Sequence, residues 1–320
     1  MRQRIDAQAT GKPSGRVPGL LALYACWGTA IPAMKIMVET VPPLLGAAMI
    51  FLSAGIIFLA LSRKRRCPTT SQVLKMALAG LLLLVGGQGL AMVALTEVSS
   101  SLGAILVSAI PLWVVILGAL TGSRISGWSV MRLIAGFCGI ALVILTAPER
   151  SIGGAPWAVA VFCVAPILWA AGSLLSARTK MPVDPVVASA VQLLAGGSGL
   201  LLLGLAVGEV GLANLQGVSA GSAMAAAYLL LFDSLLGFLL YTWLLRSTAP
   251  ALVNTYAYVT PVIAVTIGVT ILDEPLWTGA VLGGLLVILS VAGEMRARDS
   301  EAGGLDRSQV ESTRESRSRM

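Results

Sequence analysis

Histidine is absent from the 320 residues. The commonest side-chain base, the commonest metal ligand and the usual near-neutral proton shuttle are therefore missing together. Charge is scarce as well: Asp, Glu, Lys and Arg make up 12% of the chain, where an ordinary soluble domain carries roughly a quarter. Cysteine occurs four times, as Cys26, Cys67, Cys138 and Cys163. Three of these fall inside apolar runs and none has the spacing of a metal site, so neither disulfides nor zinc are expected. The net charge of +7 comes from short basic clusters between apolar runs. It does not form a basic face with interleaved aromatics, which excludes nucleic acid as a partner.

What is present is apolar. Hydrophobic residues are 57% of the chain and the mean hydropathy is +0.88. A water-soluble fold of this length has too little interior to hide that surface, so the surplus faces lipid. Runs long enough to cross a hydrocarbon core of about 30 Å at 1.5 Å per residue fall at 18–38, 43–61, 73–95, 101–120, 130–147, 156–177, 185–207, 220–245, 250–272 and 276–293. Turn or polar chemistry separates them, as at Val41-Pro42-Pro43, Ser99-Ser100-Ser101, Asp184-Pro185 and Asp273-Glu274-Pro275.

Basic residues favour cytoplasmic loops. With the N-terminus inside, only Lys35 and Arg150 of the 22 basic residues fall on the outer side. The strongest inner loop is Arg63-Lys64-Arg65-Arg66, while Glu39, Glu97, Glu149, Glu209, Asp273 and Glu274 fall outside. The expected arrangement is an all-α, multi-pass protein of the inner (cytoplasmic) membrane with both termini cytoplasmic. Residues 1–17, bearing Arg2, Arg4, Lys12 and Arg16, read as a retained cytoplasmic tail. Residues 294–320 alternate charges with Ser and Gly and read as a disordered cytoplasmic tail.

The chain matches itself at two offsets. At 142 residues Trp27 pairs with Trp169, Pro43 with Pro185 and Gly55 with Gly197; at 150, Leu102 pairs with Leu252 and Pro111 with Pro261. Two five-helix repeats, 18–147 and 156–293, are expected. An odd number of crossings turns the second copy upside down, giving ten transmembrane helices as two inverted five-helix repeats. Two such halves have nearly the same shape but opposite facing, the mechanical basis of alternating access.

The segments CWGTAIPAMK, PPLLGAAM, SLGAILVSAIPLW, LWAAGSLLS, ALVNTYAYVTPVIAV and LDEPLWTGAVLGGLLVIL resemble those of the EamA-type transporter family of the drug/metabolite transporter superfamily. The resemblance covers about residues 18–293. It implies a ten-helix, exporter-type carrier for small metabolites or drugs, with no cofactor. Three positions differ from the family pattern: Ile50, with Gln192 at the equivalent place in the second half, stands where Arg is frequent; Arg124 stands where Glu is usual, although Glu274 keeps it in the second half; and Asp233 stands where a small residue is expected.

Asp233 is the main candidate site residue. It lies about 13 residues, or roughly 20 Å, along the eighth span. A carboxylate exposed to lipid at that depth costs about 2.5–3.5 kcal/mol, so it is expected to face the interior, where it can bind and release a proton or a cation. Its match in the first half is Leu83. The competing reading is a protonated Asp bonded to a neighbouring carbonyl. Gly237 and Tyr241 follow at one and two turns and share its face; Tyr241 reads equally as an interfacial aromatic.

Gln88 lies mid-helix among glycines, placed for contact with substrate or with a neighbouring helix. Trp27 and Trp169 are candidate cavity walls or packed core. Asn254 and Tyr258 lie one turn apart before Pro261, and Pro111 holds the same place in the first half. A mid-helix proline frees a carbonyl, that of Ala257 or Val107, so both are kink candidates beside a polar lining, or plain structural prolines. Lys35 follows Trp27 at helical spacing. It would pair with an anionic substrate or, more simply, snorkel to the headgroups.

These residues point to a secondary transporter exporting small metabolites or drugs, with proton antiport as the expected coupling. The partners implied are a small-molecule substrate, the lipid bilayer and a proton, with a homodimer left open. An intramembrane enzyme lacks a second facing carboxylate and a histidine. A non-transporting membrane sensor would need a partner or ligand domain, for which the tails and loops are short.

Overall fold

The structure is a computed structural model; it describes residues 16–62, 68–122, 126–153, 155–178, 184–212, 217–247, 256–294 and 296–297. Eight of its helices are long and apolar enough to cross a membrane. These are α1 (Val17–Val38), α2 (Pro43–Leu61), α3 (Thr70–Ala94), α4 (Ser100–Leu120), α5 (Gly127–Leu145), α6 (Pro156–Ser176), α7 (Val186–Ala206) and α8 (Ala220–Tyr241). Two shorter apolar helices follow, α9 (Tyr256–Ile271) and α10 (Thr278–Glu294). No strand occurs among the described residues. The chain is thus an all-helical, multi-pass membrane protein.

Local chemistry sets the helix starts. Pro43 occupies the first turn of α2, where its missing N–H leaves no helical bond unmade. Thr69 and Gln72 form a reciprocal capping box at α3. Ser99, Ser126 and Ser219 cap α4, α5 and α8 by accepting from the backbone N–H three residues on. Two acids distant in sequence bond to the starts of α2 and α4 as well. Glu209 is buried and accepts from the N–H groups of Leu44 at 3.2 Å and Leu45 at 2.9 Å. Glu274 accepts from Ser100 N–H, from Ser101 N–H at 2.8 Å, and from the Ser101 hydroxyl. A negative group at a helix N-terminus satisfies orphan donors and opposes the positive end of the dipole.

The helices interleave along the chain. α7 packs along the length of α2, α6 against α3 and α4, and α9 against α1 and the first half of α4, while the first half of α8 packs on the second half of α1. α5 and α10 meet through glycine: a β-carbon on Gly139 would lie 2.7 Å from the Gly283 carbonyl oxygen. In lipid, where burial of apolar surface between helices brings no gain, small residues that let backbones approach supply the packing. The outward surface is apolar, with Met49, Leu145, Leu202 and Met224 each at least two-thirds exposed.

Three interruptions shape the middle of the bundle. The fourth span divides at Val107–Ile110, where Ala109 N–H bonds back to Leu106 and Leu112 N–H to Ala109. This is the break expected ahead of Pro111. α9, in contrast, remains helical through Pro261. The acceptor that Pro261 leaves free belongs to Ala257, in the first turn of the described helix, so little regular structure is lost. Wide turns, with i→i+5 bonding, replace α-helix over Leu81–Gly89 in α3 and Leu229–Gly237 in α8. Such segments concentrate at functional sites.

Several expectations differ from the structure at the ends. α3, α4 and α5 begin up to three residues earlier than the apolar runs indicate, because the caps lie in polar sequence ahead of them. Glu294, expected to open the tail, is the last residue of α10 and 2% exposed. Its carboxylate accepts from Arg132 Nε on α5 at 3.0 Å. Arg63–Arg66, Arg124, Lys180 and residues 1–15, 295 and 298–320 lie outside the described residues.

Candidate functional site

A cavity opens among α1, α3, α4, α6, α8 and α9. Its wall is largely apolar and aromatic, with Trp27, Phe162, Trp169, Phe238 and Tyr256 around it, and Gln88, Asp233 and Thr260 supplying polar side chains. Asp233 is 6% exposed. Gln88 Nε2 donates to Asp233 Oδ2 at 3.3 Å, joining the two wide-turn segments across the bundle. The hydroxyl of Thr260 is buried and unpartnered among the described residues. Lining backbone at Val107 lies at the break in α4.

Each tryptophan rests on a glycine at the end of a wide turn. A β-carbon on Gly237 would lie 2.5 Å from Trp27 Nε1, and one on Gly87 would lie 2.8 Å from Trp169 Cε3. Glycine is required in both places because the indole occupies the side-chain space. The separations are those read from the sequence, 142 residues between the tryptophans and 150 between the glycines. Leu83, the counterpart of Asp233, packs on Gly172 of α6 and is not part of the cavity wall.

The structure thus gathers Asp233, Gln88, Trp27 and Trp169 in one place. Tyr241 stands one layer back, its ring 5.2 Å from Trp27 and 6.3 Å from Tyr256, where it buttresses the wall and does not line it. Pro111 and Pro261 lie behind Ile110 and Thr260, which do line it. Asn254 lies outside the described residues, as does the side chain of Tyr258.

Lys35 is placed elsewhere. Its ammonium donates to the Leu95 carbonyl at the end of α3 at 2.7 Å, in place of the expected snorkelling to headgroups. A cation at that end of a helix satisfies an orphan carbonyl and meets the negative end of the dipole. Lys35 belongs to a second, polar pocket, with Glu39, Glu97, Arg150, Asp273 and Glu274 in its wall. Leu95 lines the apolar cavity, and its carbonyl accepts from Lys35 of the polar pocket. Asp273 there has φ 52°, a left-handed conformation that Asp tolerates better than most residues.

Sequence reasoning missed Phe162, Phe238, Tyr256 and Thr260 in the cavity wall. Pro166, inside α6 and also lining, was missed as well. A signal did exist for part of this: Gly87 and Gly237 share the 150-residue offset of the prolines. Among the described residues no group of three or more Cys, Asp or Glu is placed to hold a metal ion.

The sequence model of the EamA-like transporter family matches twice, over residues 17–145 and 156–294. The chain belongs to the EamA-like transporter family. Among relatives, the protein named an uncharacterized inner membrane transporter, YedA, of Escherichia coli (strain K12) is 35% identical over 262 residues, covering 80% of this chain and 83% of that protein. The uncharacterized transporter YoaV of Bacillus subtilis is 23% identical over 281 residues, covering 85% of this chain and 94% of that protein. A crystal structure with 20% sequence identity has a TM-score of 0.60, covering 90% of this chain and 99% of that one; at that identity the likeness concerns the fold alone. The cavity between the helices of this EamA-like chain is therefore that of a membrane transporter family, whose relatives here are named as transporters.

Proposed function

We propose that the chain is a secondary active transporter that exports small metabolites or drugs across the cytoplasmic membrane by proton antiport. The observation that carries the reading is the buried carboxyl of Asp233 in the wall of a cavity that both family-matched stretches build. An acid in such a place is stable when protonated or paired. Exchange of a proton for a solute there couples the two movements.

Alternating access comes from ten helices arranged as two inverted halves, 18–147 and 156–293, with both termini cytoplasmic. Supporting this is the helix packing, which keeps its form when each helix is exchanged for the one five places away. α2 on α7 maps onto itself, α1 on α9 maps onto α6 on α4, and α3 on α6 maps onto α8 on α1. The Trp27–Gly237 and Trp169–Gly87 contacts exchange in the same way. Related halves of opposite facing give two conformations of similar energy, open to opposite sides.

Proteoliposomes test the reading. A proton gradient should drive solute movement by the wild-type chain, and Asp233→Asn, folded by thermal unfolding and gel filtration, should lose the gradient dependence. Equal movement by both proteins with and without the gradient would sink the antiport role. For topology, Arg63→Cys and Lys180→Cys, in a chain with the native cysteines replaced, should label from the same, cytoplasmic side.

A further inference from the structure

The cavity wall carries one kind of charge. Among the described residues Asp233 is the one acidic side chain that lines it and no lysine or arginine does, while Lys35 and Arg150 belong to the separate polar pocket. Among the described residues the Asp233 carboxyl, which lines the cavity, takes a single hydrogen bond, from Gln88 to Oδ2, so most of its acceptor capacity is left open. An ionised carboxylate can accept at about four lone-pair positions.

The rest of the wall restricts what can satisfy it. An anionic solute meets a like charge and no cation. A neutral solute leaves the carboxylate unbalanced in an apolar enclosure, a costly state. A solute with one positive charge removes that cost in the same way as a proton. Trp27 and Trp169 add apolar wall for the guest's body, and an indole within about 6 Å of its charge attracts a cation by about 2 kcal/mol when desolvated. Thr260 offers an unpartnered hydroxyl for one polar atom of the guest.

Resting on the transporter reading, we propose that the cavity binds organic monocations with a compact apolar or aromatic body, such as protonated amines and quaternary ammonium compounds. The charge sits at Asp233 and the body lies against Trp27 and Trp169. Proton and solute then compete for one carboxyl. The other titratable groups on the helices packed here are Tyr24, Cys26 and Lys35 on α1, Lys75 on α3, Cys163 on α6, Tyr228 and Tyr241 on α8 itself, and Tyr256 and Tyr258 on α9, while α2 and α4 carry none. None of these residue types ordinarily titrates below about pH 8, so competition under mildly acid conditions reports on Asp233.

Equilibrium binding to the purified, full-length chain in detergent tests the assignment, with benzyltrimethylammonium as the probe. Neopentylbenzene, of the same shape without the charge, and benzylsulfonate, of opposite charge, serve as competitors. Benzyltrimethylammonium should bind at mildly alkaline pH, be displaced on acidification, and resist both competitors. Its affinity should fall about tenfold or more in Asp233→Asn and recover in Asp233→Glu. Trp169→Leu should weaken binding without removing its pH dependence. Binding by Asp233→Asn as tight as by the wild type, or displacement by benzylsulfonate at equal concentration, would overturn the assignment. Should the variants fail to fold, the three ligands compared on the wild-type chain decide the matter alone. The two readings fail separately: cation binding without gradient-driven flux overturns transport, whereas gradient-driven flux of anions with no cation binding overturns the solute class.

Discussion

The indole of Trp27 occupies the space that a side chain on Gly237 would fill, with Nε1 2.5 Å from the position of the missing β-carbon. The contact locks α1 to the end of the wide turn that holds Asp233. Gly237→Ala should therefore push the indole off its seat, lowering stability by about 1–3 kcal/mol, the usual penalty of overpacking. Thermal unfolding in detergent measures it. Gly87→Ala, beneath Trp169, should behave similarly, and full stability in both variants would show that neither contact is tight.

Gln88 is the donor that Asp233 has across the bundle. Gln88→Leu keeps the bulk and removes the amide, leaving a buried acceptor unpaired at a cost of about 1–3 kcal/mol. Lower stability together with weakened gradient coupling is expected. Gln88→Glu, which sets two acids side by side, should be worse than Gln88→Leu when both are assayed in the same proteoliposomes.

The loop acids offer a separate stability test. Glu209→Ala removes the acid at the start of α2 and Glu274→Ala the one at the start of α4, where the Ser99 cap remains, each expected to lower stability by about 0.5–2 kcal/mol. Because the two caps lie on different helices and share no partner, the double variant should lose about the sum. Unchanged melting in either single variant would mean that the helix end is satisfied without the carboxylate.

Arg132 and Glu294 join α5 to the end of α10, with the acid 2% and the base 24% exposed. Glu294→Ala should destabilise by up to about 3 kcal/mol, less than a fully buried pair because Arg132 keeps some solvent. Replacing both, as Arg132→Met with Glu294→Leu, should recover most of the loss. If the double variant is no better than the single, the ion pair matters through its geometry and not through the charge left behind.

Much of this was readable in advance, for reasons that differ by residue. Asp233 announced itself as a charge in an apolar run, and the two tryptophans through a shared offset. The helix starts were readable only roughly, since capping residues are polar and lie outside the apolar stretch they begin. The Gln88–Asp233 bond was not readable, because helical spacing places neighbours along one helix and says nothing of a partner 145 positions away. Lys35 illustrates the same limit. Sequence gives its depth, and depth alone favours the headgroups, but in the folded chain the ammonium bonds to the Leu95 carbonyl. For Glu209 and Glu274 the sequence gives a side of the membrane, and only the folded chain shows the helix ends they meet. Pro111 and Pro261 looked alike, yet only the former stands behind a break.

The wide turns in α3 and α8 have a consequence for the helices that carry them. Each accommodates more backbone per turn than the 3.6 residues of regular helix, so the stretches before and after it run out of phase. The side that meets lipid before the segment is not the continuation of the side that meets lipid after it. Deleting a single residue within Leu81–Gly89 or Leu229–Gly237 would swing everything downstream by about 100° about the axis, turning packed surface outward from that point on. Length in these nine-residue stretches is therefore fixed more tightly than the identity of the leucines that fill them.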